Sequence, residues 1–154
     1  MKINLQKVTR DNWEEAMNLQ VREEQTSFVP SVAVSLAKVY IKPDGDQVEY
    51  LPFAIYDGEK MVGFIMHAYE EQTTYSYWIN GFIIDASQQG KGYGRAAFQA
   101  MIDWIKSTFK QCNEIRLTVH KENGNAKKLY ERTGFQKTSQ MFGNEEVWRF
   151  LIKK

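Results

Sequence analysis

Between Ile83 and Phe109 the sequence changes character twice, and this limits the folds open to it. Ile83-Ile84-Asp85 closes an apolar run, and Gln89-Gly90-Lys91-Gly92-Tyr93-Gly94 follows. From Gly92 or Gly94 onward Ala97, Met101, Ile105 and Phe109 recur every four residues, with Phe98 and Ile102 widening the stripe. The pattern predicts a strand, a glycine loop and a helix whose apolar face lies on a sheet. Glycines at a helix start let consecutive N–H groups turn inward, and the helix dipole adds positive potential there. The loop is therefore suited to an anion such as a diphosphate. Lys91 and Arg95 can add charge-assisted contacts. Tight strand-to-helix turns also use glycine for purely structural reasons. The spacing Gly90-x-Gly92-x-Gly94 matches neither the G-x-G-x-x-G of a dinucleotide fold nor the G-x-x-x-x-G-K-S/T of an NTPase loop.

The rest of the chain fills in around this unit. Ile3 to Val8 alternates as a strand, and Thr9 or Asp11, with Glu14, can cap a helix running to about Val21. Pro30-Ser31 precedes a second helix, Val32 to Tyr40, with Val32, Leu36, Val39 and Tyr40 on one face. After the break at Pro43-Asp44-Gly45-Asp46 the pattern predicts an antiparallel meander: Tyr50 to Tyr56, an Asp57-Gly58 hairpin, Met61 to Ala68, and Tyr75 to Ile84. Glu114 to Val119 is a further strand, Asn125 to Arg132 a helix ended near Gly134, and Gln136 to Phe150 a hairpin turned at Gly143-Asn144. No repeat or linker interrupts this order, so residues 1–154 are expected to form a single domain: an α/β fold with a mixed sheet and helices on its faces.

Charge and composition exclude several functions. Twenty basic and 19 acidic side chains leave a formal charge of +1, with no global field to hold a nucleic acid. No segment has the apolar length of a membrane span or a signal peptide, so a cytoplasmic protein with no membrane partner is expected. Cys112 is the only cysteine and His67 and His120 the only histidines, so neither an intramolecular disulfide nor a metal site is expected.

The glycine loop reads Q-x-x-G-x-G, and Asn123-Gly124-Asn125-Ala126-Lys127-Lys128-Leu129-Tyr130-Glu131-Arg132-Thr133-Gly134-Phe135 reads N-x-x-A-x-x-L-Y-x-x-x-G-F. In tandem these resemble the pyrophosphate-binding and following segments of the GNAT superfamily of N-acetyltransferases. Val21 to Val29, Tyr77-Trp78-Ile79 and Phe82-Ile83-Ile84-Asp85 resemble, more narrowly, bacterial spermine/spermidine (diamine) acetyltransferases. The resemblance implies a mostly antiparallel, twisted sheet splayed between strands 4 and 5, flanked by about four helices, with acetyl-CoA as donor. It implies that the backbone of Phe82, Ile83 and Ile84 pairs with the pantetheine arm as an added strand. Gln89, Gly90, Lys91, Gly92, Tyr93, Gly94 and Arg95 would hold the diphosphate, and Asn123, Ala126 and Tyr130 would complete the coenzyme site. It further implies a polyamine or other small primary amine as acceptor, and a homodimer by analogy.

The chemistry sets requirements of its own. A free alkylamine, with a pKa of roughly 10.4, arrives protonated and must lose a proton before attack. The leaving thiolate, whose thiol titrates at about 8.5, calls for a donor, and Tyr130 is the candidate general acid. The proton acceptor is less plainly written. Similar polyamine acetyltransferases carry an acidic residue where this sequence has Asn80, which cannot act as a base. Glu23 and Glu24, between the first two helices, can attract a polycation and relay its proton through water, and they double as an ordinary solvated charge pair. His120, at a strand end, has a suitable intrinsic pKa. Phe28, Tyr40, Tyr75, Tyr77 and Trp78 can face an ammonium group through cation–π contacts, whereas Trp13 and Trp104 read as packing residues. Cys112 has no neighbouring histidine, so direct transfer in a ternary complex is favoured over a covalent route. Glu23, Glu24, Phe28, Trp78 and Asn80 are thus the candidate acceptor-binding residues. Two rival functions are a protein or peptide N-acetyltransferase and a non-catalytic acyl-CoA-binding module.

Overall fold

The computed structural model describes residues 1–154. Along the chain lie β1 (Ile3–Lys7), α1 (Trp13–Met17), α2 (Val32–Ile41), β2 (Glu49–Asp57), β3 (Lys60–Tyr69), β4 (Tyr77–Ile84), α3 (Tyr93–Thr108), β5 (Glu114–His120), α4 (Gly124–Arg132), β6 (Gln136–Phe142) and β7 (Glu145–Leu151). Short 3₁₀ turns occupy Glu23–Gln25 and Ala86–Gln88. All seven strands join one sheet in the order β1-β2-β3-β4-β5-β7-β6.

The meander forms as the alternation predicts, with Gly58 taking the positive φ (61°) that its hairpin needs. β4 and β5 run parallel because α3 carries the chain across between them, and every other neighbouring pair is antiparallel. The β4–β5 pairing is brief, extending over Trp78 with Arg116 and Ile79 with Leu117. Beyond Ile79 the two strands part.

A β-bulge on the other edge of β4 helps to turn it. Met66 of β3 faces Asn80 and Phe64 faces Ile83, so Gly81 and Phe82 stand opposite Ile65 alone. Gly81 sits at φ 59°, and a Cβ there would meet the Ser35 hydroxyl of α2 at 2.6 Å, so both conformation and close approach require glycine.

α3 and α4 cover one face of the sheet and α1 and α2 the other, giving two apolar clusters. Ala97, Phe98, Met101, Ile102 and Ile105 of α3 are at most 1% exposed, as their spacing predicts. Each large member contributes on the order of 2 kcal/mol by burial.

Three expectations need correction. α1 is a single turn ending at Met17 rather than a helix to Val21, and its cap is Asn12, whose side chain accepts from the Thr9 N–H and donates to the Lys7 carbonyl instead of closing a capping box. Gln20 beyond it hydrogen-bonds to the β4 exit, where its N–H reaches Asp85 and its carbonyl accepts from Ala86, contacts that a continued helix could not make. Second, α2 buries Val32 and Ser35, with Leu36 partly covered, while Tyr40 is 92% exposed and turned away from the sheet. Third, Trp13 is 45% exposed, whereas Trp104 packs edge-on against Phe53. No helix is long and apolar enough to cross a membrane.

Candidate active site

The parting of β4 from β5 opens the sheet where its backbone would otherwise continue pairing. From Asn80 to Ile84 the β5-side edge of β4 has no strand partner. A cavity of about 330 Å³ lies against it, lined by Phe82, Ile83, Ile84, Gln89, Gly90, Gly92, Tyr93, Gly94, Asn123, Ala126, Leu129 and Tyr130. Gly90 and Gly92 hold φ of 79° and 88°, and nothing lies within 4 Å of a Cβ built on Gly90. Their need for glycine is therefore one of conformation, at a turn that lines the cavity and leads into the N-terminus of α3, where unpaired N–H groups favour an anion. Lengthwise this cavity offers an anion nest, then an unpaired strand edge, then a phenol, which fits a diphosphate-bearing chain ending in a thioester.

Most of the residues the sequence assigns to the coenzyme come together here, with four qualifications. The Lys91 ammonium donates to Gln88 Oε1 at 3.2 Å, and Lys91 and Arg95 are exposed outside the cavity wall. Asn123 caps α4, its Oδ1 accepting from the Ala126 N–H at 3.3 Å, which leaves its amide nitrogen free to donate. Gln89 turns both amide hydrogens inward, to the Ile84 carbonyl and to Gln25 Oε1, each at 2.9 Å. Its side chain braces the loop. Tyr93 is also structural in part, since its hydroxyl donates to Asp57 at 2.6 Å.

Tyr130 stands at the inner end of the cavity. Its ring packs 4.9 Å from that of Phe98, and the side chain is 8% exposed. The hydroxyl makes no hydrogen bond within the chain. Burial pushes its pKa above the ordinary tyrosine value, which keeps the O–H protonated across the neutral range.

On the far side of Tyr130 a second cavity of about 500 Å³ opens, and the two share Phe28, Val29, Phe82 and Tyr130. Trp78, Asn80 and Phe142 help to line it, and it carries three carboxylates, Asp44, Glu70 and Glu145, against one cation, Lys38. Asp44 is held in place by Tyr50, whose hydroxyl donates to its carboxylate and accepts from its N–H. Sequence reasoning missed all three carboxylates. Asp44 lay in a run read as a chain breaker, and Glu70 and Glu145 lie at strand ends whose neighbours only the fold defines.

The acceptor-side expectations divide accordingly. Phe28, Trp78 and Asn80 line the second cavity. Glu23 and Glu24 do not: they sit on an exposed 3₁₀ turn and border neither cavity, because that turn projects outward and sends Phe28, not the glutamates, inward. His120 is outside both cavities, its ring packed 5.1 Å from that of Phe28 and its Nδ1 accepting from the Glu122 N–H. Tyr77 is fully buried in the core, while Tyr75 and Tyr40 face solvent. Cys112 is buried, with a thiol pushed up to about 11 mainly by burial, and is distant in chemistry from a nucleophile.

A sheet parted between β4 and β5, with a glycine loop and a helix tyrosine at the gap, is the arrangement that the resemblance to N-acetyltransferases implies. The acetyltransferase (GNAT) family pattern matches residues 13–135, and the chain belongs to that family of acyltransferases, whose donor is acetyl-CoA. Among its relatives is a spermine/spermidine N(1)-acetyltransferase of Bacillus subtilis, 32% identical, with the match covering 96% of this chain and 97% of that protein. The fold is similar to that of a spermidine N-acetyltransferase from Vibrio cholerae solved with CoA and spermine, at a TM-score of 0.74 and 22% identity over 98% of this chain and 95% of that one. It is equally similar, at a TM-score of 0.74 and 13% identity over 99% of this chain and 96% of the other, to an acetyl transferase from Salmonella typhimurium that modifies the N-terminal serine of a 50S ribosomal subunit protein.

Proposed function

We propose that this acyltransferase acetylates a primary amine of a polyamine such as spermidine or spermine, by direct attack in a ternary complex. The observation that carries this reading is the junction at Tyr130, where a glycine-rimmed cavity meets one lined by Asp44, Glu70 and Glu145 together with Trp78 and Phe28. Three carboxylates and two aromatic rings suit a flexible polycation, through charge and cation–π attraction. The names of the full-length relatives point the same way.

Bound acetyl-CoA supplies the activated acetyl group. The Gly90–Gly94 backbone holds its diphosphate and the free edge of β4, Asn80 to Ile84, holds its arm extended, so the reacting end lies beside Tyr130. Glu70, Glu145 and Asp44 hold the ammonium groups of the acceptor, and a water they bind takes the proton that the attacking nitrogen must lose. As the N–C bond forms and the C–S bond breaks, the Tyr130 hydroxyl gives its proton to sulfur. The first proton passes from that water to solvent, and Tyr130 regains the second, released by nitrogen once the N–C bond has formed, through the same water, so that one proton leaves per turnover. Asn80 orients the amine as a hydrogen-bond acceptor.

The test is release of free thiol from acetyl-CoA with spermidine, spermine, putrescine, lysine and a short peptide offered separately across pH. Polyamine-dependent release that rises with pH is the expected result. Turnover of the peptide in preference to every polyamine would move the acceptor to a protein N-terminus, and coenzyme binding without transfer to any amine would leave a binding module.

A further inference from the structure

The segment joining α1 to α2 is fastened to the coenzyme loop across the cleft. Gln25 and Gln89, 64 residues apart, exchange two hydrogen bonds: Gln89 Nε2 donates to Gln25 Oε1 at 2.9 Å, and Gln25 Nε2 donates to Gln89 Oε1 at 3.3 Å. Each amide is also anchored to backbone on its own side. Gln25 Oε1 accepts from the Arg22 N–H at 3.0 Å, and Gln89 Nε2 donates to the Ile84 carbonyl at 2.9 Å. These anchors fix which way both amides face, so the pair cannot flip without losing bonds at both ends. Three residues after Gln25 comes Phe28, which with Val29 walls both cavities and rests on His120. One side of the pair thus belongs to the loop that would hold a diphosphate, and the other to the wall of the acceptor cavity.

With the coenzyme on Gly90–Gly94 and the amine beneath Phe28, as proposed above, we infer that Gln25 is a positioning residue: its reciprocal amide pair with Gln89 transmits occupancy of the coenzyme loop to the Phe28–Val29 wall and so couples the two sites. The coenzyme holds the glycine loop, the loop holds Gln89, and Gln89 holds the turn that aims Phe28. An acceptor cavity so built is best shaped when the donor is already bound.

Amide hydrogen exchange with and without coenzyme A tests this, because it needs no acceptor. In the native chain coenzyme A slows exchange across residues 22–29 by about fivefold or more, within the usual range of coupling between sites. In Gln25→Ala that slowing falls below about twofold, while the start of α3 is protected as before and the Michaelis constant for the amine rises about fivefold with kcat within about twofold. Two charged variants separate hydrogen bonding from bulk. Gln25→Glu sets one carboxylate oxygen against one acceptor, Gln89 Oε1, whereas Gln89→Glu faces two, Gln25 Oε1 and the Ile84 carbonyl, and so loses more of the protection. Full protection in Gln25→Ala, equal losses in the two glutamate variants, or a native chain in which coenzyme A protects α3 and leaves 22–29 unchanged would each overturn the coupling. Protection of 22–29 together with silence toward every polyamine would support the coupling and remove only the acceptor class.

Discussion

The two cavities that meet at Tyr130 are made of different materials. The glycine-rimmed cavity is built mainly on one stretch of sequence, the free edge of β4, the turn through Gly90 and Gly92 and the first turn of α3, and is closed by α4 and by Val21, Gln25, Phe28 and Val29 of the α1–α2 segment. The carboxylate-bearing cavity is lined by residues from distant segments, with Asp44 after α2, Glu70 after β3, Trp78 on β4 and Glu145 on β7. A main-chain site recognises what is common to a cofactor in any cell, a diphosphate and an extended arm. A side-chain site can change its ligand one residue at a time. The difference teaches which half of such an enzyme is free to diverge.

Variants at the junction and in each wall test that division. The largest effect is expected where the two meet: Tyr130→Phe should lower kcat by about 100-fold or more, with coenzyme affinity retained, as for loss of a general acid. A rate within about threefold of native in single-turnover kinetics would take the donor role from Tyr130.

Next is a cost in the core beneath both cavities. His67 is wholly buried in β3, its Nδ1–H donating to the carbonyl of Trp78 at 2.9 Å, with Nε2 unpartnered. Burial lowers its pKa to about 4. Because the unfolded chain binds this proton near 6.5 and the folded chain does not, the contribution is intact above about pH 6.5 and is lost as pH falls toward 4. Urea unfolding should show about 3 kcal/mol lost across that window, and His67→Leu should flatten the slope. Parallel pH profiles for the two proteins would clear His67.

On the main-chain side, Gly92→Asp places a side chain at φ 88° and a negative charge at the nest, and should weaken coenzyme binding by on the order of tenfold or more in calorimetry. Unchanged affinity in the folded variant would move the diphosphate elsewhere. On the side-chain side, Glu70→Gln and Glu145→Gln should each raise the Michaelis constant for spermidine about three- to tenfold while leaving that for acetyl-CoA within about twofold, since these partly exposed charges are screened by solvent. A shift in the acetyl-CoA constant instead would mean that the two walls are not separate. Smallest of all, Glu23→Gln with Glu24→Gln should change either constant by less than about twofold, and a clear rise for spermidine would restore these glutamates to the acceptor path.

The same contrast governs what could be read from the sequence. The strand, glycine turn and helix that rim the first cavity were legible because Gly90, Gly92, Gly94 and the α3 stripe announce that backbone conformation within some twenty consecutive residues. The order of strands and the face of α3 were legible for the same local reason. Glu23 and Glu24 show that charge is visible in a sequence and direction is not: they sit exposed on a 3₁₀ turn outside both cavities, whereas Phe28 lines both. Asp44, Glu70 and Glu145 converge only after the sheet is assembled, and no spacing rule links residues 44, 70 and 145. Likewise the length of α1 was settled by Gln20 bonding to Asp85 and Ala86, a pairing across 65 residues that outweighs helix propensity.

The bulge at Gly81 carries a consequence beyond bending. In a regular strand every second side chain keeps to one face, and Tyr77 and Ile79 start β4 on the α3 side of the sheet. One added residue slips that alternation by a half-period, so Phe82 and Ile84 join the α3 side while Ile83 crosses to the α2 side. Trp78 and Asn80 thereby line the carboxylate-bearing cavity, and Phe82 and Ile84 the glycine-rimmed one, from a single strand read in two phases. Deleting Gly81 would restore one phase, and the chain would keep its strand but exchange the faces of everything after it.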